Sequence, residues 1–219
     1  MTFADSSRQT RNPATSEENM DVTKDQFTEL LLQMLETEQG GVKVYETALR
    51  CVVNEDLKKE WEKYLSETTH HVEVVTALVD HFGGDPQAES PGRLVVRHIG
   101  QSLVKAMEMA RKAGGPPEAA QLVAAECVVH AETKDHLNWE LLGEAARGLK
   151  GEEAKAVKDA LKEVEEQEDE HLYHSTGWCR ELWIDSLGLP AVLPPPEEEK
   201  DVKTAIGAAR AKKARREML

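Results

Sequence analysis

The sequence predicts an all-α protein: four long amphipathic helices in a bundle, with a long helix-containing crossover between the second and the third. Ala, Glu, Lys, Leu and Val dominate and aromatic residues are only 5% of the 219, which favours helix over strand. Apolar residues recur at intervals of three and four through four long stretches. Strong turn signals part those stretches: Gly83-Gly84-Asp85-Pro86, Gly114-Gly115-Pro116-Pro117 and Gly148-Leu149-Lys150-Gly151.

Residues 1–22 are polar and aperiodic and are expected to form a disordered arm. The first helix should run from about Thr23, its cap, to Cys51 or Val53. Its stripe is Phe27, Leu31, Met34, Val42, Tyr45, Leu49 and Val52, with Glu38 at the centre. Gly40-Gly41 beside Glu38 predicts a kink or a close helix contact. The second helix, about Leu57 to Phe82, has Glu67 inside its apolar arc and His70 at the edge, with His71 also available. The crossover carries a helix of about Arg93 to Ala113. The third main helix should span Pro117 to Arg147, with Pro at the favoured first position. The fourth should span Glu152 to Leu187, so that the bundle domain is residues 23–187.

Residues 188–219 read as a Pro-rich linker and a basic tail, with seven basic and two acidic residues from Lys200 onward. That tail is either a solvated helix or a docking segment for an acidic partner. A chain net charge of -14 argues against nucleic-acid binding and suits a protein that attracts cations. No apolar run reaches the roughly 18 residues of a membrane span and no signal peptide is visible, so no membrane partner and a cytoplasmic location are expected. Cys51, Cys127 and Cys179 contain no Cys-x-x-Cys and read as reduced core residues.

The fourth helix poses a chemical problem. Glu168 and His171 share a face with Val157, Leu161, Val164, Leu172, Ser175, Cys179 and Leu182. A carboxylate in an apolar stripe needs a partner, because burying it alone costs several kcal/mol. Carboxylate with imidazole suits Fe, Mn or Zn.

The two halves of the chain also look alike. Glu38, Tyr45 and Glu46 on the first helix match Glu132, Trp139 and Glu140 on the third. Glu67-x-x-His70 on the second matches Glu168-x-x-His171 on the fourth. With eight histidines in so Glu-rich a chain, about one Glu-x-x-His is expected by chance, so the weight rests on register rather than number. The bland alternatives are a lysine partner for Glu38 and surface pairs for the two Glu-x-x-His. On the third helix Glu126 competes with Glu132, which is preferred for its repeat position. His136 is a further ligand or an outer donor, and His130 and His174 are ordinary polar helix residues. Tyr45 and Trp139 read first as core fillers and second as donors to a ligand carboxylate.

These residues resemble the ferritin-like superfamily of dinuclear carboxylate proteins, whose site takes one Glu from each of two helices and Glu-x-x-His from each of the others. The Glu38-x6-Tyr45 spacing is similar to that of bacterioferritin. His130-Ala131-Glu132 and Glu67-Thr68-Thr69-His70 look like the YciF-like stress proteins. The resemblance implies the ligands Glu38, Glu67, His70, Glu132, Glu168 and His171 around two Fe or Mn ions. Glu67 and Glu168 would bridge, Glu38 and Glu132 would be terminal, and each histidine would cap one metal. Four carboxylates would balance two divalent charges.

The implied activity is that of an oxidoreductase in stress defence, ferroxidase-like or manganese-catalase-like, acting on Fe(II) with O2 or on peroxide. The alternatives are a metal storage or carrier protein without turnover, or a structural bundle that binds a partner through its tails. The helix-containing crossover and the extra ends argue against a storage cage, and the missing Cys-x-x-Cys against a rubredoxin domain. Trp178, Trp183 and Ile184 form a homodimer face or pack under the Pro-rich tail, with the dimer preferred.

Overall fold

The computed structural model describes residues 23–189, and the expected N-terminal arm and basic tail lie outside them. The described residues form five helices and no strand: α1 Lys24–Ala48, α2 Glu55–His81, α3 Pro91–Ala113, α4 Pro117–Ala146 and α5 Gly151–Ser186. α1, α2, α4 and α5 make the bundle, and α3 is the crossover helix, packed outside against α1 and α4. None of these helices is long and apolar enough to cross a membrane.

Local chemistry sets the boundaries. Asn54 starts α2 two residues earlier than periodicity suggests, because its Oδ1 accepts from the amides of Asp56 and Leu57. Ser90 caps α3 the same way, its Oγ accepting from Arg93 N at 3.0 Å ahead of a Pro at the first position. Thr23 precedes α1 but its side chain caps nothing. α1 stops at Ala48, short of the expected Cys51, and the turn that follows is held by α4: Gln121 Oε1 accepts from Val53 N and Asn54 N.

Those bonds put the start of α4 beside the end of α1, so α3 has to climb back along the bundle. It does so parallel to α1, with Arg93 beside Glu36, Gly100 beside Gly40 and the carbonyl of Met107 facing Cys51. The Gly40-Gly41 pair marks a close contact rather than a break. A Cβ on Gly40 would lie 3.9 Å from the Cα of Gly100, and one on Gly41 would press Thr68 on α2 at 3.2 Å.

The core has two parts. Phe27, Leu31, Leu35, Val75, Leu78, Trp139 and Leu142 gather in one, while Val44, Tyr45, Leu57, Trp61, Tyr64, Met107 and Val128 gather in the other. Late on α5, Trp178 and Trp183 make hydrogen bonds within the chain: their indoles donate to Glu60 at 2.8 Å and to Glu126 at 3.0 Å. Glu126 is thus half-buried and meets Trp183, whereas Glu132 is buried inside the bundle.

Candidate metal centre

Between the two apolar clusters lies a layer of buried ionisable side chains: Glu38, His71, Glu132, Asp135, Glu168 and His171, each 4% exposed or less. Every main bundle helix contributes through its apolar stripe. On α2 the buried positions include Leu57, Trp61, Tyr64, Thr68, His71, Val75 and Leu78, alternating steps of four and three, so His71 falls on the stripe. On α4 they include Val128, Glu132, Asp135, Trp139 and Leu142 in the same rhythm.

Two overlapping groups of donor atoms result. His71, Glu168 and His171 form one, Glu38, Asp135 and Glu168 the other, and within each group the atoms lie no more than 4.8 Å apart. Glu168 is common to both. His71 Nδ1 is 2.9 Å from Glu168 Oε1 and 3.7 Å from Glu38 Oε2, while His171 Nδ1 is 3.6 Å from Glu168 Oε1 and 3.7 Å from Glu132 Oε2. These atoms face one another at ion-pair distances but outside hydrogen-bond geometry. Glu38 Oε2, His71 Nδ1, Glu132 Oε2, Asp135 Oδ1, both oxygens of Glu168 and His171 Nδ1 are all buried without a hydrogen-bond partner. Seven such atoms in one layer is a large cost for a fold to carry unless a cation compensates it.

The outward atoms, by contrast, are held. Tyr45 Oη donates to Glu132 Oε1 at 2.7 Å, and Trp139 Nε1 donates to Glu38 Oε1 at 2.9 Å. Each aromatic thus steadies the carboxylate of the other half of the chain. The histidines are treated alike: His71 Nε2 meets Gln167 Oε1 at 2.7 Å and His171 Nε2 meets Glu67 Oε2 at 3.0 Å. With Nε2 as the donor in each pair, Nδ1 is the nitrogen turned to the centre, and it presents a lone pair there when the ring is neutral.

The charge state follows from this crowding. Burial, joined by neighbouring carboxylates, raises Glu132 and Glu168 to about 7 and holds Asp135 well above its ordinary value. Burial opposes the protonation of His71, yet Glu168 and Glu38 raise it to about 10. Glu67 is different: burial alone would raise it, but its contact with His171 lowers it.

Of the six expected ligands, Glu38, Glu132, Glu168 and His171 meet in this layer. His70 does not: it is exposed, with Nε2 2.6 Å from Glu163 and Nδ1 3.4 Å from Glu73, and the interior position on α2 belongs to His71. One residue turns the side chain by about 100° around the helix, enough to carry it out of the core. Glu67 stands behind His171 with 19% of its side chain exposed, rather than between the two donor groups. Asp135 escaped the sequence reading, although Glu132-x-x-Asp135 on the α4 stripe was the available signal. Tyr45 and Trp139 are core residues and carboxylate donors at once. His136 pairs with Asp169 at 3.0 Å on the α4–α5 surface, and His174 with Glu60 at 2.9 Å.

Comparison with protein-family models, with characterised proteins and with solved structures gives no match. The class therefore rests on the molecule itself: a helical bundle with buried carboxylate and histidine groups close together, compatible with a ferritin-like fold and able to hold a metal ion.

Proposed function

We propose that this is a ferritin-like metalloprotein whose bundle interior binds two divalent ions, Fe or Mn, and that it acts as an oxidoreductase on Fe(II) with O2 or on peroxide. The observation that carries the reading is the set of seven buried donor atoms, without hydrogen-bond partners, facing one another across four helices. Glu38, Glu132, Asp135 and Glu168 would supply four negative charges and His71 and His171 two neutral nitrogens, a donor set that fits two divalent transition ions. Such a pair of ions, when bound, can exchange electrons with a small oxidant and clamp both of its oxygens.

The protein's part is positioning. Tyr45 and Trp139 hold the outer oxygens of Glu132 and Glu38, so their inner oxygens keep one direction. Gln167 and Glu67 orient the two imidazoles. Burial of the whole layer excludes bulk water and strengthens each of these interactions. Glu67, partly exposed at the α2–α5 seam, is shared between His171 inside and Lys63 outside, and Lys63 also pairs with Glu170.

Elemental analysis after anaerobic loading with Fe(II) or Mn(II), followed by O2 or peroxide addition, tests the reading. About two ions per chain with consumption of the oxidant is expected. Bound metal without turnover would replace the enzyme by a storage or carrier protein, and absence of metal after loading would sink the centre itself.

A further inference from the structure

The internal repeat pairs α1 with α4 and α2 with α5. Glu38 matches Glu132 and Tyr45 matches Trp139, with cross-donation from each aromatic to the opposite carboxylate, and because His71 rather than His70 is the interior histidine, the α2–α5 register moves by one residue to match His71 with His171. Against this symmetry three pairs stand out because their members differ in chemistry. Gly41 on α1 faces Asp135 on α4 in the repeat; Thr68 on α2 matches Glu168 on α5; Glu67 on α2 matches Gln167 on α5. Gly41, Thr68, Asp135 and Glu168 are buried at the centre, and Glu67 and Gln167 stand behind its histidines. Gly41 packs on Thr68, Asp135 groups with Glu168, and Glu67 and Gln167 hold the two histidines. The half that would carry a second helix glutamate has Thr68 instead, and the lost charge reappears across the bundle as Asp135.

The result is an unequal distribution of donors. One group about Glu168 holds Glu38 and Asp135, the other His71 and His171, with Glu132 Oε2 3.7 Å from His171 Nδ1 and Glu38 Oε2 the same distance from His71 Nδ1. Both oxygens of Glu168 lack hydrogen-bond partners, so this one carboxylate can serve both sides. We infer that the centre consists of two chemically distinct cation positions: a histidine-rich one that takes a borderline ion such as Zn2+, Co2+ or Fe2+ first, and an oxygen-rich one built on Asp135 that takes a harder ion such as Mn2+ second. Imidazole favours the later first-row ions and carboxylate the harder ones, which orders the filling. The backing groups strengthen the order: a carboxylate behind His171 raises the basicity of its ring more than the amide of Gln167 does for His71. Neither Asp135 nor the loss of charge at Thr68 belongs to the six-ligand pattern implied by the resemblance.

This inference rests on the metal-centre reading, and calorimetric titration of the full-length metal-free protein with Co2+ separates the two. Two steps are expected, the first shifting the imidazole resonances of both His71 and His171 in NMR spectra, the second about tenfold or more weaker. Asp135→Asn, nearly the same in shape, should retain the first step and abolish the second, so that one Co2+ plus one Mn2+ no longer bind together. Thr68→Glu, which restores the repeat, should narrow the gap between the steps. A wild type that takes two ions in one step, or an Asp135→Asn variant that loses both steps while keeping its fold, would overturn the inequality and leave a metal centre. No uptake by the wild type would overturn both.

Discussion

The choice between His70 and His71 turns on one residue of helical phase. His71 lies between Thr68 and Val75 on the α2 stripe and is fully buried, whereas His70 points to solvent and the acidic side chains of Glu163 and Glu73. A buried imidazole whose inner nitrogen faces carboxylates can serve a cation once it loses its proton; an exposed one with two carboxylates is a surface pair. His71→Ala should therefore lower the metal content per chain and weaken binding about tenfold or more, while His70→Ala should leave both unchanged. Elemental counts on the two variants decide it, and equal losses would return the ligand role to His70.

At the scale of the element, α3 is attached by charge as well as by the apolar packing of Leu103, Val104, Ala106 and Met107. Of its residues Arg93 and Met107 are buried, and Arg93 donates to Glu36 Oε2 at 2.8 Å and to the carbonyls of Pro86 and Ala88. Arg97 adds a two-pronged pair, Nε to Oε1 and Nη2 to Oε2 of Glu36, each at 2.8 Å. Burial alone would raise the Glu36 pKa, and the two guanidinium groups reverse that and lower it. Arg93→Met keeps the apolar stem and removes one of the two partners from a buried carboxylate. Such a loss costs on the order of 3 kcal/mol, and denaturant unfolding should show it. Amide exchange in α3 should quicken more than in α5. Uniform quickening across all helices would mean that α3 is no separate unit.

For the whole molecule the crowding of buried ionisable groups at the centre is a liability. Glu132 and Glu168 bind protons up to about pH 7 in the folded chain but only to their ordinary value of 4.5 when unfolded. The metal-free fold therefore binds more protons than the unfolded chain in that window, and its stability falls as pH rises through it. The loss is on the order of 3 kcal/mol for each carboxyl. His71, raised from 6.5 to about 10, continues the same trend upward. In contrast, Glu36, Glu60 and Glu67, all lowered, cost stability only as pH falls below their ordinary range. Calorimetry of metal-free protein should thus show Tm declining from about pH 5 to pH 8, the opposite of a carboxylate-paired fold. A divalent ion replaces the protons and adds about 2.7 kcal/mol at a hundredfold excess over its Kd, so loaded protein should melt higher and lose that decline. A metal-free Tm that climbs toward pH 8 would contradict the charge crowding.

Helix periodicity is local, so the sequence alone determined the four long helices, the helix in the crossover, the repeat, and the interior places of Glu38, Glu132, Glu168 and His171. Each of those carboxylates sits amid a long apolar stripe; on the third helix Glu126 competed for the place, and the repeat position favoured Glu132. Where two candidates stood side by side, as at His70 and His71, a motif at matching spacing outweighed a stripe that tolerated either. Only the tertiary structure decided between them, because the phase of α2 is set by Tyr64, Thr68 and Val75 packing against other helices. The same holds for Asp135, for Glu67 behind His171, and for the crossed bonds of Tyr45 and Trp139. These are relations between helices that approach across the bundle, and a one-dimensional pattern carries no record of which side chain meets which.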